Sequence, residues 1–86
     1  MIVECPADIF KQLEDGCGGY VDLSGDVKKF AYGAQQHGTW LGDSDMSWCV
    51  EIECDHKKLF LIYDDHEAWG LGYGCRVQVV KSLDDL

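Results

Sequence analysis

Apolar residues recur at helical spacing in the first half of the chain and alternate with polar ones in the second. From Ala7 to Asp15, Ile9, Phe10 and Leu13 fall on one side, which predicts an amphipathic helix. Pro6 opens it, where a missing N–H costs little because the first turn leaves its donors unpaired. Asp8 suits the positive end of the helix, and Gly16 suits its stop. Gly16-Cys17-Gly18-Gly19 then reads as a flexible loop.

A second helix is predicted from about Gly25 to His37, with Ser24 or Asp22 available as its cap. Leu23, Val27, Phe30, Ala31 and Ala34 form a core-facing stripe, and Lys28, Lys29, Gln35 and Gln36 take the outer face. Gly33 weakens this helix by about 1 kcal/mol relative to alanine. Gly38 supplies the stop.

Beyond Gly38 the period changes to two. Met46, Trp48, Val50, Ile52 and Cys54 alternate with Ser47, Cys49, Glu51 and Glu53, the pattern of a half-buried strand. Asp55-His56-Lys57-Lys58 is a polar connection into the apolar strand Leu59-Phe60-Leu61-Ile62-Tyr63, so the pair reads as a β-hairpin. A third strand covers about Cys75 to Lys81. Together these elements predict an α+β fold, with two N-terminal helices packed on a three-stranded antiparallel β-meander. Residues 1–86 form a single domain, since a chain of this length does not hold two cores.

Charge alters the functional picture most. Sixteen acids against seven bases give a formal charge of -9. Such a chain is a poor direct ligand for nucleic acid, where neutralising phosphates supplies most of the affinity, and for an anionic membrane surface. Its natural complement is a basic protein surface. A plain solubilising surface fits the same charge. No apolar run approaches membrane-spanning length, and no basic, apolar leader opens the sequence, so a cytoplasmic protein is expected. A homodimer is compatible with so small a core.

The five cysteines stand at positions 5, 17, 49, 54 and 75, an odd number that argues for reduced thiols and against a disulfide scaffold. Metal donors occur around Cys49, Cys54, His56 and His66, but Cys49 and Cys54 point to opposite faces of an alternating strand, so no metal or other cofactor is expected. Cys17 with His37, His56 or His66 lacks any local signature of nucleophilic catalysis, and no enzymatic role is expected.

Two features suit partner binding. Asp43, Asp45, Glu51, Glu53, Asp55, Asp64, Asp65 and Glu67 face only Lys57 and Lys58 as bases within the same 25 residues. Glu51 and Glu53 share one strand face roughly 6.6 Å apart. Carboxylates in such a row can imitate a phosphate backbone, or simply meet water. The second feature is the glycine-rich stretch Trp69-Gly70-Leu71-Gly72-Tyr73-Gly74, whose Trp69 and Tyr73 are candidate interface anchors. Aromatics of this kind also serve as core, and Trp48, within the alternation, reads as core.

In size, acidity and helix-plus-sheet build the chain resembles small phage-encoded inhibitors: anti-CRISPR proteins, anti-restriction DNA mimics and glycosylase inhibitors. The likeness covers gross properties of the whole chain and no motif. It implies a viral, stoichiometric inhibitor that blocks a nuclease or another nucleic-acid-binding complex. The alternatives are a small metal- or thiol-dependent module and an acidic subunit of a larger assembly.

Overall fold

Backbone pairing, more than side-chain period, decides the sheet. The computed structural model describes residues 2–40, 48–63 and 76–85. In chain order these form β1 (Ile2–Glu4), α1 (Ala7–Asp15), β2 (Tyr20–Asp22), α2 (Gly25–Ala34), a 3-10 turn (Gln35–His37), β3 (Thr39–Trp40), β4 (Trp48–Cys54), β5 (Lys57–Tyr63), β6 (Arg76–Val80) and a second 3-10 turn (Leu83–Asp85).

The expected three-stranded antiparallel meander is therefore corrected to a larger, mixed sheet. Its order is β1–β4–β5–β6–β2, with β3 also paired to β4. The antiparallel run β4–β5–β6 is only its centre. β1 adds in parallel to the second half of β4, β3 adds antiparallel to the first half, and β2 closes the far edge against β6. Two or three residues are too few to show a period, and such strands exist only because a longer neighbour supplies their hydrogen bonds.

Both helices lie over one face of the sheet. Ile9, Phe10 and Leu13 of α1 and Val27, Ala31 and Ala34 of α2 share one buried cluster with Val50, Ile52, Leu59, Leu61, Tyr63, Val77 and Val79. Burying each Val, Leu or Ile in such a layer contributes about 1.5–3 kcal/mol. The small Ala31 lets the Tyr63 ring come in beneath α2, where its hydroxyl donates to the Ala31 carbonyl at 2.8 Å. That bond satisfies the one polar atom of an otherwise apolar side chain.

Helix ends depart in detail from the sequence reading. Pro6 is the cap residue itself, not the first helical residue, and its carbonyl accepts from Phe10 N–H at 2.8 Å. Ser24 caps α2 in extended conformation without a side-chain bond. The last three residues assigned to the second helix tighten into the Gln35–His37 turn. Gly38 follows as the stop, and its need for glycine is steric. A Cβ there would run into the Trp48 indole and the Cys49 carbonyl.

Asp55 and His56 join β4 to β5 in a two-residue turn, with φ of 49° and 66°. Positive φ at both positions matches the right-handed twist of a hairpin. Aspartate and histidine tolerate it better than most residues. The turn is shorter than the sequence suggested, since Lys57 and Lys58 already belong to β5.

Candidate interaction surface

The period of two in β4 sorts its residues by chemistry. Val50 and Ile52 are completely buried against the helices. Glu51 and Glu53 therefore turn to the opposite face, over which no described helix lies. β1 adds two more residues there, because its parallel register sets Ile2 beside Glu51 and Glu4 beside Glu53. Neighbouring strands stand about 4.8 Å apart, so Glu4 and Glu53 are adjacent like charges. From the other side β5 brings Lys58, opposite Glu53 in register and 3.7 Å from the Glu51 carboxylate. Among the described residues these three carboxylates thus have one ammonium on the neighbouring strands, and it pairs with Glu51.

Lateral pairs of like charge cost roughly 0.2–1 kcal/mol, and the half-exposed Lys58–Glu51 pair recovers about as much at best. Asp55 continues the acidic edge into the exposed turn. Ile2 stands among these acids, 41% exposed.

The rest of the face is different. Cys49, Ile62 and Val80 are buried there in a second, smaller cluster with Phe60 against it. The polar face expected of β4 is thus polar only in its second half. Burial, and then the nearby Glu51 carboxylate, push the Cys49 thiol up to about 11. At the far edge the Arg76 guanidinium lies 4.8 Å from the centre of the Tyr20 ring, and Asp22 partners Arg76 across β2 and β6. That edge is close to charge-balanced.

Of the residues singled out in the sequence, Glu51 and Glu53 are brought together, and Asp55 sits at the end of their row. Asp43, Asp45, Asp64, Asp65, Glu67, Trp69 and Tyr73 lie outside the described residues. Trp48 is half-buried against the core, and its Nε1 donates to the Gln35 carbonyl at 2.7 Å. Glu4 and Ile2 were missed, because their place on the surface follows only from the parallel pairing of β1. The alternation Ile2-Val3-Glu4 was their one sequence signal.

Cys49 and Cys54 occupy opposite faces, as alternation requires. Among the described residues no group of three or more His, Cys, Asp or Glu side chains is placed to hold a metal ion. His37 and His56 are exposed, and Cys17 packs against the core. No described helix is long and apolar enough to cross a membrane. No protein-family model, curated protein or solved structure matches the chain.

Proposed function

We propose that the chain is an acidic cytoplasmic binding protein that docks the β1–β4–β5 edge of the sheet face opposite the described helices on a basic protein surface. Its partner is a nuclease or another nucleic-acid-handling protein, and its action is that of a phage-type stoichiometric inhibitor, anti-CRISPR or anti-restriction in kind. The observation that supports this most is the clustering of Glu4, Glu51 and Glu53 on one face of the sheet, with Lys58 the one close base among the described residues. Uncompensated like charges cost stability, and a basic partner relieves that cost on docking.

Binding in this account has two stages. The negative field of the acidic edge, reinforced by Asp43, Asp45, Asp55, Asp64, Asp65 and Glu67, draws the partner in. Apolar contacts then slow its release: Ile2 within the acidic edge, and Trp69 and Tyr73 as aromatic anchors. The test is capture from host lysate on the tagged protein, washed from about 0.05 to about 0.5 M salt, over which screening lengths shrink several-fold. A basic nucleic-acid-binding protein should be retained at low salt, released as salt rises and displaced by added nucleic acid. Capture indifferent to salt and to nucleic acid would contradict electrostatic docking.

A further inference from the structure

Cys5 and Cys54, 49 positions apart in sequence, come side by side in the sheet. Cys5 follows the last residue of β1, and its N–H donates to the Glu53 carbonyl at 2.9 Å. In a parallel ladder, a residue donates this way when its lateral neighbour is the next residue along, here Cys54. The register agrees, since Ile2, Val3 and Glu4 partner Glu51, Ile52 and Glu53, and one further step reaches Cys5 and Cys54. Residues in register point to the same face. Cys5 belongs to the main core cluster under the helices, and Cys54 packs against that cluster.

Adjacent strands about 4.8 Å apart fall inside the Cα separation of about 4.4–6.8 Å that a disulfide spans. Both cysteines are free thiols. Burial chiefly, then the neighbouring Cys54 and Asp8, push the Cys5 thiol up to about 12. The two sulfurs differ in access. Cys5 is buried, whereas Cys54 lines a cleft of about 340 Å³ between α1 and the hairpin, together with Phe10, Lys11 and Asp55. Lys57 of β5 and Glu14 of α1, 3.9 Å apart, span the same cleft.

We propose that Cys5 and Cys54 form a reversible dithiol/disulfide site that exchanges with a small disulfide such as oxidised glutathione, entering through the α1–hairpin cleft. The Cys54 thiolate attacks one sulfur of the small disulfide, forming a mixed disulfide and releasing the first reduced thiol. The Cys5 thiolate then attacks the Cys54 sulfur, and the second small thiol leaves. Two protein thiols are oxidised, one disulfide is reduced to two thiols, and the two protein protons pass to the leaving thiolates. High basicity of Cys5 makes the second step slow near neutral pH and faster as pH rises. The product staples the short edge strand β1 to β4 and closes a loop of about 50 residues, a large constraint on the unfolded chain. The site is independent of whether the acidic face binds a partner.

The test equilibrates the whole protein with oxidised and reduced glutathione in varied ratio, quenches with acid, alkylates free thiols and maps the peptides. Trypsin combined with a glutamate-specific protease separates Cys49 from Cys54 by cutting at Glu51 and Glu53. A Cys5–Cys54 linked peptide should dominate under oxidising ratios, with the other three of the five cysteines alkylated. The oxidised protein should melt about 10 °C higher than the reduced one. Cys54→Ser should abolish the link, and Cys17→Ser should leave it intact. Lasting glutathione on Cys54 with Cys5 still alkylated, a link between other cysteines, or five alkylated thiols at every ratio would each overturn the assignment. Because the unmutated protein gives the peptide map, a poorly folded Cys54→Ser leaves the result readable.

Discussion

The two faces of β4 have opposite characters. Towards the helices Val50 and Ile52 are completely buried, in one cluster with residues of both helices and of the neighbouring strands. Towards the other side Glu51 and Glu53 are half-buried, with Lys58 paired to Glu51 and opposite Glu53 in register, and Glu4 crowding Glu53 from β1. Side chains one residue apart thus divide between specifying the fold and carrying a charge pattern the fold does not need. A surface that folding leaves unconstrained is where a partner's demands can be met.

The largest break in this contrast should come from Ile52→Ala, which opens a cavity in the completely buried layer. It should cost about 2–5 kcal/mol in urea unfolding, while the adjacent Glu53→Ala should stay within about 0.5 kcal/mol of the parent. Similar losses at both positions would show that the two faces are equally structural. Next comes Gly38→Ala. Its methyl group meets the Trp48 indole and a strand carbonyl, so a loss of about 1–3 kcal/mol is expected, with the tryptophan fluorescence altered as Trp48 is displaced.

Buried thiols sharpen the comparison through pH, because one lies on each face. Cys5 under the helices and Cys49 on the opposite face are raised from 9.0 to about 12 and about 11. The folded state therefore holds their protons more tightly than the unfolded chain does. Their contribution is complete below pH 9 and is lost as pH rises through the folded values, and Tyr63, also raised by burial, acts in the same direction. Urea midpoints should be level up to about pH 9 and then fall, with each thiol worth on the order of 1 kcal/mol per pH unit. Cys49→Ala should remove part of the slope, and an unchanged alkaline slope would place Cys49 in contact with water. The smallest effect should be Glu4→Gln, which relieves repulsion with Glu53 and should raise stability by a few tenths of a kcal/mol, about 0.2–0.5.

Legibility followed element length. α1 was readable to within a residue because Ile9, Phe10 and Leu13 set a period and Pro6 and Gly16 bracket it. β4 was readable because seven residues are enough to alternate, which also placed Glu51 and Glu53 together, and β5 because the apolar run Leu59–Tyr63 follows a polar connection. β1, β2 and β3 were not. β1 and β2 take their strand character from partners 49 to 58 positions away in register, such as Val3 with Ile52 and Tyr20 with Gln78, which no local pattern contains. β3 pairs with β4 only 8 to 10 positions on but is two residues long, too short to show a period. Missing β1 hid Glu4 from the acidic cluster and Cys5 from Cys54. The burial of Cys49 was hidden for a related reason: alternation says which residues share a face, but not what covers it.

The most direct test of the account compares two charge-matched double variants for affinity to the captured partner at low salt. Glu4→Gln with Glu53→Gln removes two carboxylates from the sheet edge, and Asp15→Asn with Asp26→Asn removes two from the helical layer. The account predicts that the sheet variant binds at least about tenfold more weakly, a change of about 1.4 kcal/mol, while the helix variant stays near the parent. Equal weakening by both would mean that net charge alone attracts the partner, and no weakening by the sheet variant would contradict docking through the acidic edge.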